Sequence, residues 1–488
     1  MSQITIMQLS DLHKEISAFP SNKAFVSSII SDIARYGNDK IHIPKPEIMV
    51  VCGDIVQGSN NPDFAEALHE IEQQYVEAND ILNQVSSVLF GGNKHRIVIV
   101  PGNHDVSWPH SRRSMEKLES VDPNLNNFCR RPQGDIRQSW ADFSFYRISD
   151  HALYDQRFVP FARFYSNFYD NQRTYSLNPE EQYDVFRFPE CKTLFVGFSS
   201  CFWNDHLNTI GMIHPECIAN CYNQISGGEF DNWLKIAVWH HDVHGIPTRS
   251  DFMDERTIQF LIDKGFHIGL HGHLHRDEIF EVKFSADQSL KMLVFGCGSF
   301  GATREAIPLG ASNQYSILEV DRSSNRLRYH LRKALEQAPG LPIWMPGNIR
   351  QNRDKSYIDA HLRKHIIREH KMPAKSMLTR ELMEIEILFS RKEYTEALIK
   401  LKTMDQENPF VRRYIVECFC GLDMDNELIN FIQKPKTVTE FAYLAEALWR
   451  RNRIEELKKL VETVSSDQEI ADSEPFKRMT KKLADRGN

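Results

Sequence analysis

Ile4-Thr5-Ile6-Met7-Gln8-Leu9-Ser10-Asp11-Leu12-His13 opens the chain with an apolar run that ends on two metal-binding side chains. Four later segments repeat the arrangement: Gly53-Asp54, Gly102-Asn103-His104-Asp105, His240, and Gly272-His273-Leu274-His275. Short β-branched or aromatic runs precede them at 48–52, 97–101, 236–239 and 268–271, and two more lie at 194–198 and 292–296. Runs of this kind are strands buried inside a sheet that is covered on both faces. Between them, residues 22–35, 62–86 and 256–264 carry helical spacing. The reading is a layered α/β domain over the first 335 or so residues. In such domains sites collect where strands end and loops begin, and all five polar segments stand there.

Gathered at one sheet edge, the segments offer Asp11, His13, Asp54, Asn103, His240, His273 and His275. Carboxylate, imidazole and amide oxygen together suit Mn, Fe or Zn better than Mg or Ca, which prefer oxygen alone. Asp-x-His is expected to set two ligands on one face of an extended loop, because residues i and i+2 of a strand point the same way. Gly-His-Leu-His repeats the device, with Gly272 bringing the backbone close to the ions. Two ions about 3.5–4 Å apart need a bridging carboxylate, and Asp54 is the natural one. Such a pair polarises phosphoryl oxygens and turns a bridging water into a hydroxide nucleophile near neutral pH.

The chain has 488 residues, room for two or three domains. A net charge of −7 gives no electrostatic footprint of a protein that coats nucleic acid, although a local basic channel is compatible with it. The nine cysteines are scattered without zinc-knuckle spacing, as reduced thiols of a cytoplasmic protein would be. The N-terminus lacks the basic flank and long apolar core of a signal peptide, and no run of about twenty apolar residues predicts a membrane span.

From about 106 to 190 the alternation gives way to aromatics: Phe143, Phe145, Tyr146, Tyr154, Phe158, Phe161, Phe164, Tyr165, Phe168 and Tyr169. The stretch is too long for a loop and reads as an inserted helical cap, most of its aromatics packing a small core of its own. One or two are candidates for stacking on a substrate base. Residues 337–350, rich in Pro and Gly, read as a linker. Residues 350–380 are rich in Lys, Arg and His; a solvated helix face is the plain reading and a phosphate-contacting arm the sharper one. The division is thus 1–335, then 336–378 as linker and basic helix, then 379–488. In the last part Ile385/Ile415/Ala445, Phe389/Phe419/Trp449, Tyr394/Met424/Ile454 and Leu401/Phe431/Val461 recur at thirty-residue steps. Each unit has two apolar helical stripes around a polar turn, which predicts stacked helical hairpins, tetratricopeptide-like but shorter in period. An ordinary helical bundle is the alternative.

In order and in content, the five segments resemble the motifs of the calcineurin-like metallophosphoesterase superfamily: D-x-H, G-D, G-N-H-[D/E], H and G-H-x-H. The resemblance covers roughly residues 1–335 and implies a four-layer α/β/β/α sandwich, into which the cap read above is inserted and after which the all-α repeat domain follows. It implies that Asp11, His13 and His275 hold one ion, Asn103, His240 and His273 the other, and Asp54 both, with Mn favoured over Fe or Zn. His104 would be the acid that protonates the leaving oxygen or binds the phosphate, with Asp105 orienting its ring. At Trp239-His240-His241-Asp242 the family often shows His-His-Pro or His-x-Pro, and Asp242 stands in place of Pro. His240 is taken as the ligand, with His241 left behind it or to the substrate. The implied activity is two-metal phosphoester hydrolysis; the reading taken is hydrolysis of phosphodiesters in a nucleic acid or nucleotide, by a nuclease or a nucleotide phosphodiesterase. Alternatives are a phosphomonoesterase or nucleotide pyrophosphatase, or a scaffold acting through its repeats. The repeats are expected to bind a protein partner or a second copy; no membrane is expected as a partner.

Overall fold

A computed structural model describes residues 3–15, 21–38, 42–119, 134–139, 144–243, 251–284, 289–302, 307, 312–335, 342–350, 355–362, 385, 388–389, 393–406, 408–471 and 473–487. Two compact units result, the first built on β-sheets and the second on the C-terminal helices.

The first unit rests on two sheets. One has seven strands: β1 (Gln3–Leu9), β2 (Ile48–Cys52) and β3 (Ile97–Val100) run parallel. On the other side of β1, β13 (Gln314–Asp321) pairs antiparallel with β1, and β14 (Arg326–Ala334) with β13. The other sheet has six: β7 (Tyr183–Phe188), β8 (Thr193–Phe198), β9 (Leu234–Val238), β10 (Ile268–His271), β12 (Lys291–Gly296) and β11 (Glu278–Lys283), in that spatial order. Strands β8, β9, β10 and β12 are parallel, with antiparallel strands at both edges.

Period-two alternation divides the apolar residues of the second sheet between two cores. Leu234, Ile236 and Val238 of β9 face the core shared with β1–β3, while Ala237 faces the core under α6 (Pro215–Ile225) and α7 (Glu255–Asp263). The first sheet is covered by α1 (Asn22–Arg35) and α2 (Phe64–Phe90), capped by Ser21 and Asp63 through their side-chain oxygens. Helix, sheet, sheet and helix make the four layers.

The stretch expected as a helical cap is helical only in part. It contains α3 (Trp108–Arg113), α4 (His151–Asp155) and α5 (Val159–Phe168), but also a small sheet of β4 (Met115–Lys117), β5 (Ile136–Gln138) and β6 (Phe145–Ile148). Nor do most of its aromatics form a private core. Phe161, Phe164, Tyr165, Phe168 and Tyr169 lie three or four residues apart on one face of α5 and its end. They join the main core, where Phe164 stacks on Tyr75 of α2 with ring centroids 4.9 Å apart. Phe143 lies outside the described residues.

The α/β unit also continues past 335. β15 (Trp344–Pro346) and β16 (Tyr357–His361) both pair with β14, and Trp344 is buried against Phe300 and Tyr315. The expected linker therefore contributes a sheet strand. Of the basic segment, residues 351–354 and 363–380 lie outside the described residues.

In the second unit α8 (Tyr394–Leu401), α9 (Pro409–Gly421), α10 (Asp425–Phe431), α11 (Val438–Arg450) and α12 (Ile454–Val464) follow one another, then α13 (Gln468–Ala471) and α14 (Glu474–Gly487). The same bond closes three turns: Glu393 N–H to Leu388 carbonyl, Met424 to Phe419 and Arg453 to Leu448, at 2.8–2.9 Å. Asp423 and Asn452 hold the left-handed conformation before it, with φ 54° and 57°. These equivalent bonds fall 31 and then 29 residues apart, so the thirty-residue step averages two unequal repeats.

Candidate metal centre

Strand ends place the ligand candidates: Asp11 and His13 follow β1, Asp54 follows β2, Asn103 follows β3, His240 follows β9, and His273 and His275 follow β10. Five of these seven, Asp11, His13, Asp54, His273 and His275, have positive φ, between 44° and 76°. The left-handed conformation costs an ordinary residue about 1–2 kcal/mol, and such strain collects at functional sites. The expected extended Asp-x-His loop is thereby corrected. Alternate left-handed residues aim the side chains, and continued pairing holds them: Asp11 N–H donates to Gly53 carbonyl and His13 N–H to Asp54 carbonyl, both 3.0 Å. Glycine is required where these loops meet. A Cβ on Gly102 would lie 2.2 Å from Asp54 Oδ1, and one on Gly272 1.7 Å from Ser10 Oγ.

The side chains converge as two groups that share Asp54. In the first, His275 Nε2 stands 3.2 Å from Asp11 Oδ1 and 3.2 Å from His13 Nε2, and His13 Nε2 is 3.8 Å from Asp54 Oδ2. In the second, His240 Nε2 is 3.2 Å from Asp54 Oδ2 and 3.1 Å from Asn103 Oδ1, which is 3.1 Å from His273 Nδ1. Two donors bound to one ion at about 2.1 Å, and separated by a right or tetrahedral angle, lie roughly 3.0–3.4 Å apart. The spacing fits shared cations. Asp11 Oδ1 is buried without a hydrogen bond, and three nitrogens of different imidazoles point at carboxylate and amide oxygens. Both features fit donors that await a positive ion.

Outer partners fix the tautomers. His240 Nδ1 lies 2.7 Å from Cys52 carbonyl, so it carries the proton and Nε2 is the nitrogen turned toward Asp54 and Asn103. His273 turns the other way, Nδ1 inward and Nε2 3.1 Å from Asp251 Oδ2. His241 is engaged elsewhere. Ser200 Oγ accepts from the N–H groups of His240 and His241 and lies 2.8 Å from His241 Nδ1, while His241 Nε2 is 3.1 Å from Thr209 carbonyl. Of the two neighbouring histidines, His240 reaches the convergent group.

Charge reinforces the picture. Burial alone would raise both central carboxyls, but His275 and His13 around Asp11, and His240 and His104 around Asp54, hold them well below the usual carboxylate range. Burial opposes a charged His240, yet the Asp54 carboxylate outweighs it and lifts the imidazole to about 9. Carboxylates that pull a buried imidazole toward its cationic form make a site that draws positive charge. His241, buried and facing His273 and His240, is pushed well down instead.

His104 lies beside the first group, 4.8 Å ring to ring from His13, and burial lowers its pKa. Its Nδ1 is 2.8 Å from Gln57 carbonyl and its backbone N–H donates to Asp54 Oδ1 at 2.9 Å. Asp105 does not orient that ring as expected. Its carboxylate accepts from Ile55, Val56 and Gly102 N–H groups and from Tyr75 hydroxyl, tying the Gly-Asp loop to the Gly-Asn-His loop. Gln57 carbonyl and Asp251 were invisible to sequence reading, because a main-chain acceptor has no residue signature and Asp251 belongs to none of the five segments.

A profile of the calcineurin-like phosphoesterases matches residues 4–277, more than half of the chain. The chain belongs to this family of metal-dependent phosphoester hydrolases. No curated protein sequence matches it significantly. Among solved structures it is similar to purple acid phosphatase PPD1 from yellow lupin seeds, at 12% identity and TM-score 0.36, over 68% of this chain and 52% of that one. The chain thus spans about half the length of that phosphatase. It is also similar to zinc-complexed Vps29 of Entamoeba histolytica (10% identity, TM-score 0.25, 70% and 99% covered). A third is the calcineurin-like phosphoesterase YfkN of Bacillus subtilis (11%, 0.25, 78% and 96%).

Proposed function

We propose that the protein hydrolyses phosphodiester bonds of a nucleic acid or nucleotide at a dinuclear centre. The observation that carries the centre is the convergence of seven donor side chains into two groups that share Asp54. Asp11, His13 and His275 would hold one divalent ion, and Asn103, His240 and His273 the other. Asp54 would reach both, and Mn suits this mixed donor set. Bound ions would supply Lewis acidity toward the phosphoryl oxygens and an activated water.

The chain's own residues do the rest. His104 holds its Nδ1 proton against Gln57 carbonyl, which leaves Nε2 to meet the phosphate or to deliver a proton to the leaving oxygen. Asp105 keeps the loops of Asp54 and Asn103 in register. The diester preference rests on two sequence features. Val106-Ser107-Trp108 stands where protein phosphatases of the family carry arginines, and the fused helical repeats suit a regulated enzyme. The repeats would serve as a tetratricopeptide-like surface for a protein partner or a second copy, and free buried thiols such as Cys52 and Cys201 suit the cytoplasm.

The test is hydrolysis of bis-p-nitrophenyl phosphate against p-nitrophenyl phosphate with Mn²⁺, Fe²⁺ and Zn²⁺ in turn, followed by DNA, RNA and cyclic nucleotides. Cleavage of the monoester alone would overturn the diesterase reading. Fewer than about two bound ions per chain would overturn the dinuclear one.

A further inference from the structure

Both donor groups straddle two sheets. Asp11, His13, Asp54 and Asn103 come from the seven-stranded sheet, and His240, His273 and His275 from the six-stranded one. The Asp11–His275 and Asn103–His240 distances of 3.2 and 3.1 Å are therefore distances across the sandwich. A change of a few tenths of an ångström in sheet spacing passes directly into them. Apolar contacts fill most of the space between the sheets, and they are non-directional.

Gln8 is a fully buried polar side chain on β1, three residues before Asp11. Its Nε2 donates to the carbonyls of His271 on β10 and Phe295 on β12, both at 3.0 Å, across to the opposite sheet. Its Oε1 accepts from Ser316 Oγ at 3.1 Å, on the neighbouring strand of its own sheet. The amide's two shorter bonds thus run across the sandwich, Cys52 Sγ on the adjacent strand of its own sheet is a longer contact at 3.6 Å, and the oxygen is held from behind. His271 lies two residues before His273. One planar amide therefore joins the parent strand of Asp11 and His13 to that of His273 and His275, just beneath the ligands.

We infer that Gln8 is a positioning residue that fixes the separation of the two ligand-bearing sheets and so sets the affinity for divalent cations. Packing alone gives no reason for the amide, since Met has a similar volume and needs no partners. The inference rests on the metal assignment proposed above, and the experiment separates the two.

Full-length protein is stripped of metal and titrated calorimetrically with Mn²⁺ as wild type, Gln8→Met, Ser316→Ala and Asp54→Ala, with melting followed by circular dichroism. Gln8→Met is expected to bind at least one ion about 10-fold more weakly, as loss of an outer hydrogen bond does at metal sites. Its turnover should return toward wild type when Mn²⁺ is raised to saturation. Ser316→Ala, which removes the bond that orients the amide together with the hydroxyl's contacts to Cys297 and Tyr329 and leaves both cross-sheet bonds of Gln8 in place, should weaken binding in the same direction by less, and it carries the test if Gln8→Met does not fold. Unchanged Mn²⁺ affinity in the folded variants, with only a lower melting temperature, would make Gln8 a packing residue and overturn the inference. If Asp54→Ala binds two ions as tightly as wild type, the metal assignment fails, and the Gln8 inference with it.

Discussion

Asp54 is the side chain that both donor groups share. One oxygen accepts the His104 N–H, and the other lies between His240 and His13. Asp54→Ala should therefore lower bound metal below two ions per chain and reduce turnover on the order of 10³-fold or more, read by elemental analysis and by phosphodiester hydrolysis. On the roles proposed, His104 acts apart from the ions. His104→Ala should keep the metal while losing roughly 10²–10⁴-fold in kcat with poor leaving groups, and much less with p-nitrophenolate. Equal loss with both would show that it binds phosphate and does not deliver a proton. The His240–His241 pair divides by the same logic. His240→Ala should shed an ion, whereas His241→Ala should retain both and lower the melting temperature, because it frees Ser200 and the Thr209 carbonyl.

At the scale of elements, α1 is bolted to the first sheet by a buried ion pair. Asp32 on α1 receives Arg332 Nε at 2.9 Å, with Arg332 Nη2 and Tyr315 hydroxyl as further partners, and all three residues are buried. Removing one partner strands a buried charge, so Asp32→Ala should cost about 3–5 kcal/mol in urea unfolding. Replacing both, as Asp32→Leu with Arg332→Met, should recover most of that loss; a double variant as unstable as the single would refute the pairing argument. No sequence pattern announces this contact, which joins positions 300 residues apart. What was legible at this scale is what local chemistry decides. The strands before each ligand segment and the helix 22–35 followed from the spacing of their apolar residues. The left-handed turns of Asp11 and His13 did not, because three-dimensional closure of the site imposes them against local preference. The aromatics of α5 carried their helical spacing openly, but spacing does not say which core a stripe enters.

For the whole molecule, the consequential difference from sequence reading is where the catalytic unit ends. Pro and Gly around 337–350 punctuate the chain as a linker would, yet they flank a sheet strand, since three-residue strands carry too little pattern to outweigh their neighbours. Trp344 lies buried against Phe300 and Tyr315, its indole N–H donates to Ser28 at 3.0 Å, and its carbonyl accepts from Arg35 at 2.8 Å. A chain ended after residue 335 would lose this anchor, and loss of a buried Trp side chain alone costs about 3–5 kcal/mol. It would also strip both partner strands from β14, leaving its edge unpaired and prone to association. A chain ended after Leu362 keeps both strands and every donor of the centre. It should fold cooperatively, bind Mn²⁺ and hydrolyse p-nitrophenyl esters, while the chain ended at 335 should aggregate or melt far lower. Equal solubility and melting of the two would return the boundary to 335. The longer truncation also isolates the helical unit's contribution: if its substrate choice and oligomeric state match those of the full chain, the repeats have no part in either, and their proposed role as a partner surface falls.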